Sequence, residues 1–222
     1  MNVERHKFVA TEEKGEVTGL WGRPSGATHV LALSHGASTS IEHSSMVAIS
    51  EALYEVDIAT FRYNFPYMEK GGRGLDGRAT CSATVRSAVA RSVELAEGLP
   101  VLAGGRSFGG RMTSMAVAEE AIDGLGGIVF YAFPLHPAKK PGIDRADHLA
   151  DVSIPMLFLS GTRDALAELD LLKPVVDGLP NGSLHLVKAV DHSFKVLKRS
   201  GMTEEAAQQD AANTLKTWAS EL

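Results

Sequence analysis

The chain has 222 residues, of which 44% are hydrophobic and 22% charged, and its formal net charge is −5. This composition is typical of a globular protein, and it excludes intrinsic disorder and the basic surface that nucleic acids or anionic membranes require. No apolar run approaches the roughly 18 residues that suggest a membrane span. We therefore expect a single domain, residues 1–222, that binds neither nucleic acid nor membrane.

The N-terminal charges and the cysteine content favour a cytoplasmic protein. Glu4, Arg5 and Lys7 are not followed by an apolar stretch, so we expect no signal peptide. The one cysteine, Cys81, excludes an internal disulfide and suits a reducing compartment. We expect a monomer or a homodimer.

Short apolar runs alternate with helical patterns along the chain. The predicted strands are Lys7–Ala10, Val17–Trp21, Val30–Ser34, Ile58–Tyr63, Val101–Gly104, Gly127–Phe133, Met156–Ser160 and Leu184–Ala189. The predicted helices are Ser45–Val56, one whose apolar face includes Val85 and Ala96 and which Gly98-Leu-Pro100 stops, Phe108–Ala121, Leu169–Leu179 and one that begins near Thr203. The segment Tyr67–Arg78, rich in glycine and charge, predicts a loop. Pro174 predicts a kink or a late start in its helix.

This alternation predicts an α/β fold with a mostly parallel central sheet and helices on both faces. The one long irregular insert is Pro134–Asp151, and it is short for a separate lid domain. We therefore expect no lid.

The most informative motif is Gly105-Arg-Ser-Phe-Gly109, which matches G-x-S-x-G between a predicted strand and a predicted helix. A serine on such a sharp turn projects outward as a nucleophile, and the N–H of Phe108 is the expected first oxyanion donor. The alternative is a glycine-rich turn of another α/β fold that binds phosphate. A P-loop is disfavoured because no Gly-Lys-Ser/Thr follows.

A nucleophilic serine needs a base, and the base needs a carboxylate to orient it. Asp164 and His192 each follow a predicted strand, in the chain order Ser, Asp, His that this arrangement requires. The carboxyl ends of parallel strands meet at one sheet edge, so both residues can reach Ser107. Asp191 is the main competitor for the acid, and Asp170 is a weaker one.

Further site residues are expected in the loops at this edge. Ser34-His-Gly-Ala-Ser38 follows a core strand, and the N–H of Ala37 is the expected second oxyanion donor, although a simple tight turn would look the same. The candidates for lining the pocket are His35, Phe65 and His136, of which Phe65 could equally be core.

Two arginines, Arg106 and Arg111, flank the proposed nucleophile. They could bind a substrate carboxylate, or they could only form structural ion pairs.

Several segments together resemble the small lid-less α/β-hydrolases, most closely the dienelactone-hydrolase-like branch that includes testis-expressed and chromatin-complex-associated hydrolase-like proteins. These segments are His35-Gly36, Phe61–Glu69, Gly104–Met112, Phe133–Pro137, Gly161–Asp164 and Asp191–Ser193. The triad of the family corresponds to Ser107, Asp164 and His192. True dienelactone hydrolases carry a cysteine where Ser107 stands, so the resemblance does not imply that substrate.

The resemblance implies hydrolysis of a small carboxylic ester or thioester through an acyl-enzyme, with no cofactor and no metal. Acyl transfer or perhydrolysis on the same three residues is an alternative. A different class of alternative is a non-catalytic binding or scaffold protein on the same fold, since some members of the branch serve as non-catalytic subunits.

Overall fold

The computed structural model describes residues 2–72 and 74–222, and the expectations for Met1 and Arg73 lie outside the described residues. It contains one eight-stranded sheet in the order β1-β2-β4-β3-β5-β6-β7-β8. The strands are β1 Glu4–Thr11, β2 Gly15–Gly22, β3 His29–Ser34, β4 Ile58–Tyr63, β5 Val101–Arg106, β6 Leu125–Tyr131, β7 Met156–Gly161 and β8 Gly182–Val187. Only the pairs of β2 with β1 and β4 are antiparallel. The expected mostly parallel sheet is confirmed.

Six helices accompany the described strands: α1 Ser44–Glu55, α2 Pro66–Glu69, α3 Arg78–Ala96, α4 Phe108–Glu119, α5 Leu169–Asp177 and α6 Glu204–Ala219. The hydroxyl of Thr203 accepts the N–H of Ala206 and caps α6, and the helix begins at Glu204, near the predicted start. The predicted late start of α5 is wrong, because this helix begins at Leu169 and continues through Pro174.

The predicted loop Tyr67–Arg78 is wrong at its beginning, where the chain forms the short helix α2. Pro66 occupies the first turn of α2, where its fixed φ suits a helix and its missing N–H costs nothing. The predicted loop also contains Arg73, which lies outside the described residues.

Apolar side chains alternate between the two faces of the sheet, as the two-residue period of a strand requires. In β3, Val30 and Ala32 lie in the core beneath α3 and α4, whereas Leu31 and Leu33 lie in the core beneath α1 and α6. Each face is therefore covered by a helical layer, as predicted.

Two strands end earlier than their apolar patterns suggest. The predicted β6 extends to Phe133 and the predicted β8 to Ala189, but the strands end at Tyr131 and Val187. Ala132 and Ala189 have φ values of 57° and 63°, which are incompatible with extended backbone. Both interruptions lie at the sheet edge to which the parallel strands point.

The insert Pro134–Asp151 does not form a lid. It ends in a 3₁₀ helix, Asp144–Asp151, whose Leu149 is buried. The hydroxyl of Ser114 on α4 lies 2.7 Å from Nε2 of His148 in this helix, so the insert packs along α4. In the part of the chain that the structure describes, no helix combines the length and apolarity needed to cross a membrane.

Candidate active site

Ser107 occupies a sharp turn between β5 and α4. Its backbone angles, φ 51° and ψ −112°, lie in a region that residues other than glycine rarely adopt. Such a conformation costs about 1–3 kcal/mol and persists only where the surroundings enforce it. The Ser107 N–H donates to the carbonyl of Tyr131 on the adjacent strand at 2.9 Å. The fold therefore holds Ser107 at the exposed end of the sheet.

The two glycines of the motif are required by close packing around Ser34. A Cβ atom at Gly105 would lie 2.0 Å from Oγ of Ser34, and one at Gly109 would lie 2.5 Å from the same atom. Ser34 is buried, and its hydroxyl donates to the carbonyl of Gly104 at 2.7 Å. Any side chain at either glycine would separate β5 or α4 from β3.

Ser107, His192 and Asp164 form one chain of hydrogen bonds. Nε2 of His192 lies 2.9 Å from Oγ of Ser107, and Nδ1 lies 2.8 and 3.0 Å from the two carboxylate oxygens of Asp164. Asp164 is only 3% exposed, and its Oδ1 also accepts the N–H of Leu166 at 2.8 Å. With the proton on Nδ1, the ring donates to Asp164 and leaves Nε2 free to accept from the serine hydroxyl.

Asp191, the alternative acid, instead shapes the turn that carries His192. Its Oδ1 accepts the N–H groups of Ser193 and Lys195 at 2.8 and 3.0 Å. Asp170 lies in the first turn of α5. Of the three candidate carboxylates, Asp164 is the one in contact with the imidazole.

Arg106 connects the serine turn to the histidine loop. Its Nη2 donates to the carbonyl of His192 at 3.3 Å. Burial lowers the pKa of Arg106, while the nearby carboxylates of Asp164 and Asp191 oppose this. Within residues 2–72 and 74–222, neither Arg106 nor Arg111 has a carboxylate oxygen within 4 Å. Structural ion pairs therefore do not account for these arginines.

The loop that contains Ala37 packs against the serine turn, since a Cβ atom at Gly36 would lie 3.7 Å from the carbonyl oxygen of Arg106. Ser34 on β3 is paired with Gly105 on β5, and Ala37 and Phe108 each follow their paired residue by three positions. Phe108 is the first residue of α4, so its N–H has no acceptor within the helix.

A tyrosine that sequence reasoning did not assign holds the loop that contains Ala37. The hydroxyl of Tyr67 donates to the carbonyl of Ala37 at 2.9 Å, and the Tyr67 N–H donates to Oδ2 of Asp76 at 2.7 Å. Phe65 stacks on Tyr67 and meets Phe108 edge-on. The only sequence signal for this role is the cluster of aromatic residues after β4.

His35 and Phe65 are fully buried, which corrects the expectation that they line the pocket. Nε2 of His35 accepts the N–H of Phe65 at 3.0 Å, and Nδ1 donates to the carbonyl of Gly36 at 2.7 Å. Burial lowers the pKa of His35 to about 4, although the bond to Gly36 opposes the shift. His35 is therefore a neutral histidine that joins the loops after β3 and β4.

His136 is also nearly inaccessible, at 2% exposure, so the expectation that it lines the pocket is wrong as well. Its Nδ1 donates to the carbonyl of Pro137 at 2.9 Å, and its Nε2 is bonded to the carboxylate of Glu168. Burial lowers the pKa of His136, but the bonds to Pro137 and Glu168 outweigh it and the net shift is upward. This contact ties the segment after β6 to the start of α5.

An open groove of about 630 Å³ lies between α1 and α6, and its lining includes Ser38, Arg106 and Ser193, which are adjacent in sequence to Ala37, Ser107 and His192. Sequence reasoning did not find it, because its walls come from helices that are more than a hundred residues apart. The described residues contain no group of three or more His, Cys, Asp or Glu side chains arranged to hold a metal ion.

Comparison with known proteins identifies the fold. A family model described as an alpha/beta hydrolase domain matches residues 27–220. Among solved structures, the chain is similar to a serine hydrolase without lid from Xanthomonas campestris, with a TM-score of 0.75 and 16% identity over 98% of this chain and 95% of that one.

Two further structures are similar over nearly their full lengths. A dienelactone hydrolase from Anabaena variabilis has a TM-score of 0.75 and 17% identity over 100% of this chain and 99% of that chain. The esterase domain of a Rhodothermus marinus protein has a TM-score of 0.72 and 15% identity, with the same coverage. At this level of identity the likeness establishes the fold, including the lid-less form that the sequence predicts.

Proposed function

The chain belongs to the alpha/beta hydrolase family, and we propose that it is a serine hydrolase that cleaves a small ester or thioester through an acyl-enzyme. The observation that carries this proposal is the chain of hydrogen bonds from Ser107 through His192 to the buried carboxylate of Asp164. The strained backbone at Ser107 supports it further, since such strain clusters at functional sites.

In the first step, Oγ of Ser107 attacks the acyl carbon while Nε2 of His192 takes its proton. Asp164 holds the ring in the tautomer that can accept this proton, and it stabilises the imidazolium that forms. The N–H groups of Ala37 and Phe108 hold the developing oxyanion. His192 then returns the proton to the leaving oxygen or sulfur, and the bond between that atom and the acyl carbon breaks.

In the second step, water replaces the departed alcohol or thiol. His192 takes a proton from this water as its oxygen attacks the acyl carbon, and the proton returns to Oγ of Ser107 as the acid leaves. The ester and one water thus become an acid and an alcohol, so no cofactor is needed.

The openness of the site favours small acyl groups. The side chain of His192 is 20% exposed, and the insert Pro134–Asp151 packs along α4. An open site offers little apolar surface to a long acyl chain, so rates should be higher for short chains.

The test is hydrolysis of p-nitrophenyl acetate, butyrate and decanoate by wild type, Ser107→Ala and the matched control Ser183→Ala. Ser183 is an exposed serine on β8. We expect Ser107→Ala to lower kcat at least about a thousandfold with no change in Tm, and Ser183→Ala to resemble wild type. Full activity in Ser107→Ala would overturn the assignment of the nucleophile, and a preference for decanoate would contradict the expected acyl length.

A further inference from the structure

The lining of the groove between α1 and α6 includes residues that are adjacent in sequence to the proposed reacting groups. Three of its lining residues are direct neighbours of residues in the proposed mechanism: Ser193 follows His192, Arg106 precedes Ser107, and Ser38 follows Ala37. With a volume of about 630 Å³, the groove is large enough for a small organic group. No step of the proposed mechanism yet uses this space.

The proposed mechanism indicates which half of the substrate this groove receives. His192 must protonate the leaving atom, so the leaving group lies within hydrogen-bond reach of Nε2. The groove opens on the side of the histidine loop, where Ser193 and Phe194 form part of its wall. The groove is therefore assigned to the alcohol half of the ester, an assignment that rests on the proposed function.

The groove wall contains polar atoms that lack hydrogen-bond partners among the described residues. Gln208 is only 7% exposed, and Oε1 of its amide is buried with no hydrogen-bond partner among the described residues. Nε of Arg106 is also buried without a partner. Buried polar atoms are nearly always paired, and leaving them unpaired costs free energy. One acceptor, Oε1 of Gln208, and one donor, Nε of Arg106, thus remain unpaired at residues of the same groove.

The charges around the groove limit the kinds of leaving group that it can bind. Four carboxylates line it, from Glu51, Glu55, Glu204 and Glu205, and only that of Glu204 is paired with a lysine of the groove. Among the residues that the structure describes, an anionic leaving group would face three unpaired carboxylates against the one unpaired guanidinium, that of Arg106, and an apolar one would leave the buried polar atoms unpaired. An ammonium group can donate to Gln208 but cannot accept from Arg106.

A hydroxyl group both donates and accepts, so a molecule with several hydroxyls satisfies both unpaired groups and the surrounding carboxylates. We propose that the groove binds a polyhydroxylated leaving alcohol, and that the substrate is a short-chain ester of a polyol such as glycerol or a monosaccharide. Hydrolysis joins the acyl carbon to water oxygen, breaks its bond to the polyol oxygen and releases the polyol with the proton from His192.

The test compares kcat/KM for glycerol monoacetate, a monoacetylated glucose and ethyl acetate, which share one acyl group. We expect wild type to prefer at least one polyol ester over ethyl acetate by about tenfold or more. The glycerol and glucose arms show which kind of polyol is bound. A wild type that hydrolyses ethyl acetate as well as both polyol esters would overturn the inference and leave the proposed function standing.

Two variants test the groove directly. Gln208→Leu removes the unpaired amide oxygen, and Ala48→Phe fills the groove from α1 should Gln208→Leu fail to fold. In either variant the preference for the polyol ester should fall about tenfold. The control Asn213→Leu makes a similar change at an exposed position on α6 outside the groove, and its preference should equal that of wild type. An unchanged preference in both groove variants would overturn the inference.

A direct binding measurement separates this inference from the proposed function. If wild type hydrolyses none of the three esters, the proposed function fails, and the groove is judged by NMR titration with free glycerol and free glucose. Saturable shifts at α1 and α6 that disappear in Gln208→Leu would support a polyol site. An absence of saturable shifts in wild type would overturn it.

Discussion

Substitution of His35 should change how the stability of the protein depends on pH. His35 is fully buried, its Nε2 accepts the N–H of Phe65, and burial lowers its pKa from 6.5 to about 4. Between these two pH values the unfolded chain binds a proton at this position and the folded chain does not. The free energy of unfolding must therefore fall as the pH falls through this window.

The size of this effect follows from the pKa. Each unit of difference between the folded and unfolded pKa changes the free energy of unfolding by about 1.4 kcal/mol. His35 should therefore lower the free energy of unfolding by about 3 kcal/mol as the pH falls from 6.5 to 4. Burial also lowers the pKa of His148, to about 4. That residue titrates in wild type and variant alike, so their difference isolates His35.

The assay is urea unfolding of wild type and His35→Gln at several pH values between 7.5 and 4. We expect the variant to be less stable at pH 7.5, and the gap between the two to shrink by about 3 kcal/mol at pH 4. Val85→Ala is the control, since Val85 is fully buried and does not titrate, so its curve should run parallel to that of wild type. A constant gap between wild type and His35→Gln would refute the reasoning.

Three further predictions concern other positions. Burial raises the pKa of Glu69, but hydrogen bonds from Lys7, Asn64 and Thr18 outweigh burial and hold this pKa at about 2. The free energy of unfolding of wild type therefore falls as the pH falls from 4.5 to 2. Glu69→Gln should make the free energy of unfolding depend less on pH in this window. Equal acid sensitivity in both proteins would contradict this. Tyr67→Phe removes the bond to the Ala37 carbonyl and should lower kcat about tenfold without raising KM. A rise in KM at constant kcat would instead indicate lost substrate binding. Gly105→Ala should cost about 1–3 kcal/mol in urea unfolding, because its Cβ would meet Ser34. A stability equal to that of wild type would contradict this packing argument.

The fold and the three central residues of the site could be predicted because each depends on a local pattern. Apolar runs and helical periodicity locate the elements, and parallel strands bring their carboxyl ends to one edge. Ser107, Asp164 and His192 each follow such a strand, and their side chains meet in the structure. Asp164 could be preferred over Asp191 because a carboxylate directly before His192 in the chain would struggle to reach the far ring nitrogen of that histidine.

The surroundings of the site could not be predicted because they depend on contacts between distant segments. A histidine that follows a strand predicts a pocket residue. In the structure, however, hydrogen bonds to Phe65 and Glu168 fix His35 and His136, respectively. The groove between α1 and α6 depends on tertiary packing alone. The ends of β6 and β8 were missed because positive φ values at alanine carry no signal in the sequence.

The most direct test of the central claim is labelling with a fluorophosphonate probe, which modifies activated serines. Wild type, Ser107→Ala and Ser183→Ala would be labelled in parallel, checked for folding by circular dichroism and mapped by mass spectrometry. The account predicts labelling at Ser107 in wild type and Ser183→Ala, and none in Ser107→Ala. A folded wild-type protein that takes no label, or a Ser107→Ala protein that is labelled as strongly as wild type, would contradict it.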